Sequence, residues 1–168
     1  HSFYDFNSQM LILSMHSYLI QTPSLNILID TCIGNDKNRV GQGPIYKSNQ
    51  GILSHWNNRS SNYLENLQAH ELTLEDIDIV MCTHMHADHV GWNTRLVDDR
   101  WVPTFPNAKY LFSPLELDSL QKDSRNPFDQ YLRLVYEDSV LPIIQSGQAE
   151  MIDESTDLGK DINLIKWF

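Results

Sequence analysis

The most informative stretch of this 168-residue chain is Thr83-His84-Met85-His86-Ala87-Asp88-His89. Side chains two positions apart on an extended segment point the same way, so His84 and His86 can reach one ion. If the chain then turns, Asp88 and His89 face a second position beside the first. Imidazole and carboxylate groups are ligands for zinc, and also for iron or manganese. The segment therefore predicts a metal site.

The spacing of this motif is specific. From the His and Asp content of the chain, H-x-H-x-D-H is expected by chance in roughly one sequence in a thousand. The apolar run Ile77–Cys82 that precedes the motif predicts a buried strand. Ligand sites of layered α/β folds lie at the ends of such strands, so the position of the motif strengthens the prediction of a metal site.

The segments around the motif predict alternating strands and helices, hence an α/β or α+β class. The other predicted strands are Leu13–Thr22 and Asn26–Asp30 (a hairpin across Pro23-Ser24), Leu96–Val102 (a hairpin across Asp98-Asp99), Ala108–Phe112, Ala149–Ile152 and Asp161–Phe168. The predicted helical elements are a helix capped by Ser60 or Ser61, a turn with a capping box at Thr73–Asp76, a helix with Ser113 as N-cap and Glu116 returning to it, and Phe128–Val140. Gly34–Gly51 is predicted to be a long functional loop.

The composition is that of an ordinary globular protein, and we expect residues 1–168 to form a single domain. The net charge is −10 and Lys and Arg do not cluster, which disfavours nucleic acid as a partner. No apolar run approaches the roughly 20 residues of a membrane span, so no membrane association is expected. Two widely spaced cysteines and the lack of a secretory signal predict a cytoplasmic location. Because the chain begins at His1 and ends on a strand-like run, we expect a piece of a longer protein.

The motif after a buried strand resembles the signature of the metallo-β-lactamase-fold superfamily. Ile29-Asp30-Thr31-Cys32 is similar to the I-D-T-G strand end of that family, with Cys32 in place of Gly. His89–Asn93 and Arg100–Ala108 resemble a lactonase- and phosphotriesterase-related branch. The match spans roughly Leu13 to Phe112. It implies a four-layer αββα sandwich with the metals at one edge of the sheets and with the C-terminal part missing.

By this resemblance His84 and His86 bind a first divalent metal ion, and Asp88 and His89 bind a second. The ions are expected to be zinc, with iron or manganese as alternatives. Asp88 is also expected to act in catalysis by accepting a hydrogen bond from the nucleophile. Asp30 either orients the motif loop or merely caps a strand end. The family supplies a third His, a bridging Asp and a last His from later segments, and these are not found in this sequence.

The resemblance implies a hydrolase in which a metal-bridged hydroxide cleaves a small-molecule lactone or ester. The alternatives are a phosphoesterase or nuclease of the same fold, and a non-catalytic metal-binding or truncated remnant domain. His16, His55 and Trp92 are candidates for lining the pocket, although structural roles explain both histidines at least as well. Cys32 is interpreted as a buried, inert thiol. The sequence predicts no oligomeric state.

Overall fold

The computed structural model of the protein describes residues 4–7, 9–11, 14–38, 56–121, 127–153, 156, 158 and 162. The strands are β1 (Tyr4–Asp5), β2 (Met10–Leu11), β3 (Tyr18–Gln21), β4 (Asn26–Ile29), β5 (Ile79–Met81), β6 (Thr94–Val97), β7 (Arg100–Pro103), β8 (Lys109–Phe112) and β9 (Ala149–Met151). The α-helices are α1 (Tyr63–Gln68), α2 (Ala87–Val90), α3 (Pro114–Leu120), α4 (Pro127–Val135) and α5 (Leu141–Gln145). Single 3₁₀ turns cover Leu74–Asp76 and Gly91–Asn93, and a π-helical turn covers Tyr136–Val140.

A five-stranded sheet in the order β3-β4-β5-β8-β9 is the centre of the fold. The β3–β4 pair is antiparallel and is joined at the predicted hairpin, with Gln21 opposite Asn26. The other three pairs are parallel. The predicted mixture of strands and helices is therefore confirmed. The described residues contain this one large sheet, and a second large sheet is not among them.

Consecutive residues of the central strands are buried on opposite faces of this sheet. Leu28, Val80 and Tyr110 belong to the main core, which also receives side chains from α1, α3, α4 and α5. The opposite face carries a smaller cluster of Ile27, Ile79 and Leu111. This confirms that the apolar run of β4 is a strand covered on both faces, because Ile27 is 3% and Leu28 is 2% exposed.

Two local predictions are confirmed by their hydrogen bonds and dihedral angles. The Thr73 N–H donates to Asp76 Oδ2 at 2.8 Å and completes the predicted capping box. Asp98 and Asp99 have φ angles of 49° and 57°, which the tight turn between β6 and β7 requires.

Of the two other predicted caps, the one at Ser60 or Ser61 is wrong, and the one at Ser113 is confirmed in its position. Helix α1 begins at Tyr63 after Asn62, and Ser61 donates its N–H to Asn35 Oδ1 at 2.8 Å. Ser113 is the N-cap of α3 and Pro114 its first residue, as predicted, but the Ser113 side chain forms no capping hydrogen bond. The predicted helix Phe128–Val140 is also modified, because α4 ends at Val135 and a π-helical turn follows. Most of Gly34–Gly51, and Asp161–Phe168 apart from Ile162, lie outside the described residues.

No helix in the described ranges combines the length and the apolar character that a bilayer crossing requires.

Candidate metal site

The site lies where two neighbouring parallel strands end. Asp30 directly follows β4, and Thr83 to His89 follow β5. Asp30 donates its N–H to the Met81 carbonyl at 2.9 Å and then leaves the strand with a φ of 59°. A non-glycine residue rarely adopts this left-handed conformation, and it costs about 1–2 kcal/mol. The Asp30 backbone is therefore held in place by surrounding interactions.

The Asp30 side chain supplies those interactions. It is 8% exposed and accepts hydrogen bonds from the Thr83 N–H at 2.8 Å and the Thr83 hydroxyl at 2.9 Å. His89 Nδ1 lies 2.8 Å from Asp30 Oδ2. A buried carboxylate is costly unless it is hydrogen-bonded, and these donors satisfy both of its oxygens. Asp30 thus joins the beginning of the motif loop to its end.

The motif loop bends after β5, has an extended backbone at His86 with φ of −77° and ψ of 160°, and then enters the short helix α2. The turn brings three imidazole rings together: the centroids of His84 and His86 are 4.6 Å apart, and those of His84 and His89 are 3.9 Å apart. His89 Nε2 lies 3.4 Å from Asp88 Oδ2. The four motif side chains that the sequence singles out therefore form one cluster.

The imidazole nitrogens contact one another within this cluster. His84 Nε2 is 3.1 Å from His86 Nδ1, which is a hydrogen-bond distance. Within the described residues, no three His, Cys, Asp or Glu side chains are arranged as a ready set of metal ligands. Burial first, and then the neighbouring His89 and His86, lower the pKa of His84 below its usual value. His84 is therefore neutral at pH 7, which is the form that can bind a metal.

The tautomer of His89 is fixed by Asp30. An ionised carboxylate only accepts hydrogen bonds, so His89 must carry its proton on Nδ1. In a neutral imidazole with this tautomer, Nε2 carries the lone pair, and this atom lies 3.4 Å from Asp88 Oδ2. Histidine metal ligands almost always donate their other ring N–H to a carboxylate, a backbone carbonyl or a water molecule, and Asp30 has this position here. The donor set present here fits a divalent ion such as zinc.

Close backbone packing fixes the motif segment against the loop after β4. The Thr31 N–H donates to the His89 carbonyl at 2.7 Å, and the Gly91 N–H donates to the Cys32 carbonyl at 2.8 Å. A Cβ atom on Gly91 would lie 1.8 Å from the carbonyl of Ile33, so only glycine fits there. The sequence analysis includes Gly91 in the resemblance of His89–Asn93 but assigns it no role, and the glycine two residues after the motif is the signal that would have pointed to a close backbone approach.

Two further supporting residues were also missed. The Glu116 carboxylate accepts the Met85 N–H at 3.1 Å, so it holds the motif loop rather than capping its own helix. The Asn93 side chain, which is fully buried, accepts a hydrogen bond from the Thr31 hydroxyl at 2.9 Å. No local pattern links Glu116 to Met85, because 31 residues separate them.

The other candidate residues lie elsewhere or have different contacts. His16 is exposed, and its Nε2 lies 2.7 Å from the Tyr18 hydroxyl. Trp92 is 4% exposed and stacks on Tyr63 with a centroid distance of 5.4 Å. Cys32 is half-buried rather than buried, and its partial burial raises the pKa of the thiol. His55 lies outside the described residues.

The sequence model of the metallo-beta-lactamase superfamily matches residues 13–160 of the chain. The protein therefore belongs to this superfamily, as the motif and the Asp30 strand end predict. A comparison with curated proteins gave no significant match.

Solved structures of the same fold agree with this assignment. A probable metal-dependent hydrolase from Staphylococcus aureus has a TM-score of 0.62 at 23% identity, over 86% of this chain and 46% of its own. AidC, a dizinc quorum-quenching lactonase in complex with a product, has a TM-score of 0.59 at 21% identity, with coverage of 84% and 44%. The hydrolase AbOPH has a TM-score of 0.56 at 22% identity, with the same coverage as AidC. The chain thus spans less than half the length of these structures, and at these identities the likeness shows the fold alone.

Proposed function

We propose that the protein is a binuclear metal-dependent hydrolase. His84 and His86 hold one divalent ion, and Asp88 and His89 hold a second. The observation that carries this proposal is the Asp30–His89 pair, which leaves Nε2 of His89 free to bind and turned toward the Asp88 carboxylate. Imidazole and carboxylate ligands favour zinc, with iron or manganese as alternatives.

The side chains of the motif have separate roles in this proposal. When bound, two divalent ions act as Lewis acids and lower the pKa of a water molecule toward neutrality. Asp88 accepts a hydrogen bond from the attacking water and orients its lone pair toward the substrate. Asp30 and Glu116 do not react. They hold the motif loop through Thr83 and Met85, so that the four ligands keep their positions.

A small-molecule lactone or ester is the proposed substrate. AidC, which shares this fold, is a dizinc lactonase, and the sequence around the motif resembles the lactonase-related branch. The net charge of −10 supports a small substrate over a nucleic acid. A cytoplasmic location remains part of the proposal.

A metal-binding domain without turnover is the second candidate. It is considered because the motif supplies four side-chain ligands, whereas the resemblance implies a third His, a bridging Asp and a last His in addition. Four motif ligands for two ions leave open coordination positions, which either water and substrate or further protein ligands would fill.

The metal content of the protein, together with its hydrolytic activity, tests both candidate functions. We expect about two ions per chain in the longest natural form of the protein, purified without chelator and measured by elemental analysis. His86→Ala should lose at least one ion and abolish turnover of a lactone, ester and phosphoester panel. His70→Ala removes an exposed histidine outside the motif and should change neither quantity. Wild-type protein without metal would refute the metal site, and two ions without turnover would favour the non-catalytic candidate.

A further inference from the structure

A cavity of about 380 Å³ lies between the loop after β4 and the beginning of α1. Cavities that bind small molecules have volumes of roughly 300–1,000 Å³. The residues that matter for its chemistry are Cys32, Gly34, Arg59, Asn62, Tyr63 and Asn66. None of these residues belongs to the metal motif, so the cavity is a separate space that needs its own explanation.

The walls of the cavity are fixed by hydrogen bonds between its two sides. The Asp36 N–H donates to the Arg59 carbonyl at 3.3 Å, and the Asn58 N–H donates to the Lys37 carbonyl at 2.8 Å. Asn35 Oδ1 accepts the Ser61 N–H at 2.8 Å. The backbone that carries Arg59 is therefore positioned before any ligand binds, which lowers the entropic cost of binding.

The floor of the cavity is connected to the candidate metal site. Ser17 Oγ lies 3.0 Å from the Tyr63 hydroxyl and 3.7 Å from the Cys32 sulfur. The Cys32 carbonyl accepts the Gly91 N–H directly after the motif helix, and Tyr63 stacks on Trp92. Cys32 thus lies between the cavity and the motif.

The charge of the cavity contrasts with that of the chain. Among the described residues that line the cavity, Arg59 is the one that is charged and none is Asp or Glu, whereas the whole chain has 22 acidic and 12 basic residues. Arg59 is exposed, and no ion pair joins it to any residue in the described part of the chain. A guanidinium in this position is available to bind an anion, and its planar group matches a carboxylate through two parallel hydrogen bonds.

We propose that this cavity holds the part of the substrate remote from the cleaved bond, and that Arg59 selects substrates in which this part ends in a carboxylate. The selection rests on the proposed hydrolase function, while the binding of a carboxylate by Arg59 does not. Arg59 is a specificity-determining residue in this scheme and takes no part in the bond cleavage itself. Asn62 and Asn66 line the same cavity with side-chain amides and are available for further polar contacts.

Two p-nitrophenyl esters of matched shape test the selection. The glutarate hemiester ends in a carboxylate, and the isoheptanoate ester ends in a branched apolar group of similar size. We measure kcat/KM for both with the metal-loaded protein and subtract the spontaneous hydrolysis. Arg59→Gln should lower the ratio of glutarate to isoheptanoate by about 10- to 100-fold, the value of a charged hydrogen-bonding contact. Arg59→Lys keeps the charge without the two-pronged geometry and should give an intermediate ratio.

Arg95→Gln is the matched control, because it removes an exposed arginine from β6 and changes the net charge equally. The control should leave the ratio unchanged. An equal ratio in wild-type protein and Arg59→Gln, with both esters still hydrolysed, overturns the inference but not the proposed function.

A binding measurement separates the two claims without turnover. Monomethyl glutarate is titrated by NMR into metal-free wild-type protein, Arg59→Gln and Arg95→Gln, with dimethyl glutarate as the neutral probe. We expect weaker binding of the monoanion to Arg59→Gln alone, by about 10-fold or more. The same affinity in all three proteins overturns the inference. If binding of the monoanion depends on Arg59, Arg59 is a carboxylate-binding residue. If the metal-loaded protein at the same time hydrolyses no ester, the proposed hydrolase function is refuted while the carboxylate site stands.

Discussion

Replacing Asp30 by Asn tests whether the carboxylate behind the motif sets the metal affinity. The substitution keeps the size of the side chain but leaves one oxygen acceptor and introduces an NH₂ donor. Three donor groups now point at the carboxylate: the Thr83 N–H, the Thr83 hydroxyl and His89 Nδ1. If the Asn oxygen serves Thr83, the NH₂ group faces His89 Nδ1. His89 must then move its proton to Nε2, the atom that faces Asp88.

The expected effect follows from this change of tautomer. A protonated Nε2 cannot bind a metal, so His89 contributes to the site only after it returns to its less favourable form. Losing a partner of this kind lowers metal affinity by about 10- to 100-fold, or about 1.4–2.8 kcal/mol. The metal-free protein should also lose about 1.5–3 kcal/mol of stability, the range for a hydrogen bond to a charged group.

Zinc affinity is measured by competition with a chromophoric chelator, and stability by urea unfolding of the metal-free protein. Asp78→Asn is the control, because Asp78 accepts the Asn26 N–H at 2.8 Å near the other end of the same strands. It should reduce stability slightly and leave zinc affinity unchanged. The reasoning is refuted if Asp30→Asn binds zinc as tightly as the wild type, or if Asp78→Asn weakens binding equally.

Two further predictions concern the stability of the fold. Gly91→Ala should destabilise the protein by more than about 3 kcal/mol, because its Cβ would overlap the Ile33 backbone. Gly147→Ala, with φ of 78° and no atom within 4 Å, should cost only about 1–2 kcal/mol in urea unfolding, and equal losses in both variants would contradict the packing argument. The hydrogen bonds from Thr73 lower the pKa of Asp76 below its usual 3.8. The stability that this carboxylate contributes is thus present above pH 3.8 and is lost as the pH falls through the lower folded-state value. The urea midpoint of Asp76→Asn should approach that of the wild type as the pH falls below 3.8, and a difference that stays constant from neutral to strongly acidic pH would exclude this linkage.

The sequence predicted the elements that depend on local patterns. The apolar run of β4 predicts a strand because burial on both faces needs no alternation. The Thr73–Asp76 capping box and the Asp98-Asp99 turn are predicted because their partners lie within a few residues. The motif itself depends on spacings of two and three residues, which the bent loop after β5 and the first turn of α2 bring together.

Contacts between distant segments could not be predicted in the same way. Glu116 has the position of a helix-capping residue, and only the fold shows that it binds the Met85 N–H. Lys37 is a charged residue in a predicted loop, yet its side chain is fully buried. Its Nζ donates to the Thr94 hydroxyl at 2.5 Å and to the Asp138 carbonyl at 2.9 Å. Such contacts depend on which segments become neighbours in the fold. The composition and the periodicity of the sequence do not predict those neighbours.

The conformation of the loop after β4 shows how the site and the cavity depend on each other. Asp30 and Cys32 both have left-handed backbones, with φ angles of 59° and 51°, and Thr31 lies between them. Each costs about 1–2 kcal/mol for a residue with a Cβ atom. Glycine at position 32 would remove that cost but would also remove the thiol from the cavity. The hydrogen bonds from Thr31 to His89 and from Gly91 to Cys32 offset the strain, since they form only when the loop follows the motif helix. The strain is therefore maintained by the same contacts that place the cavity next to the candidate metal ligands.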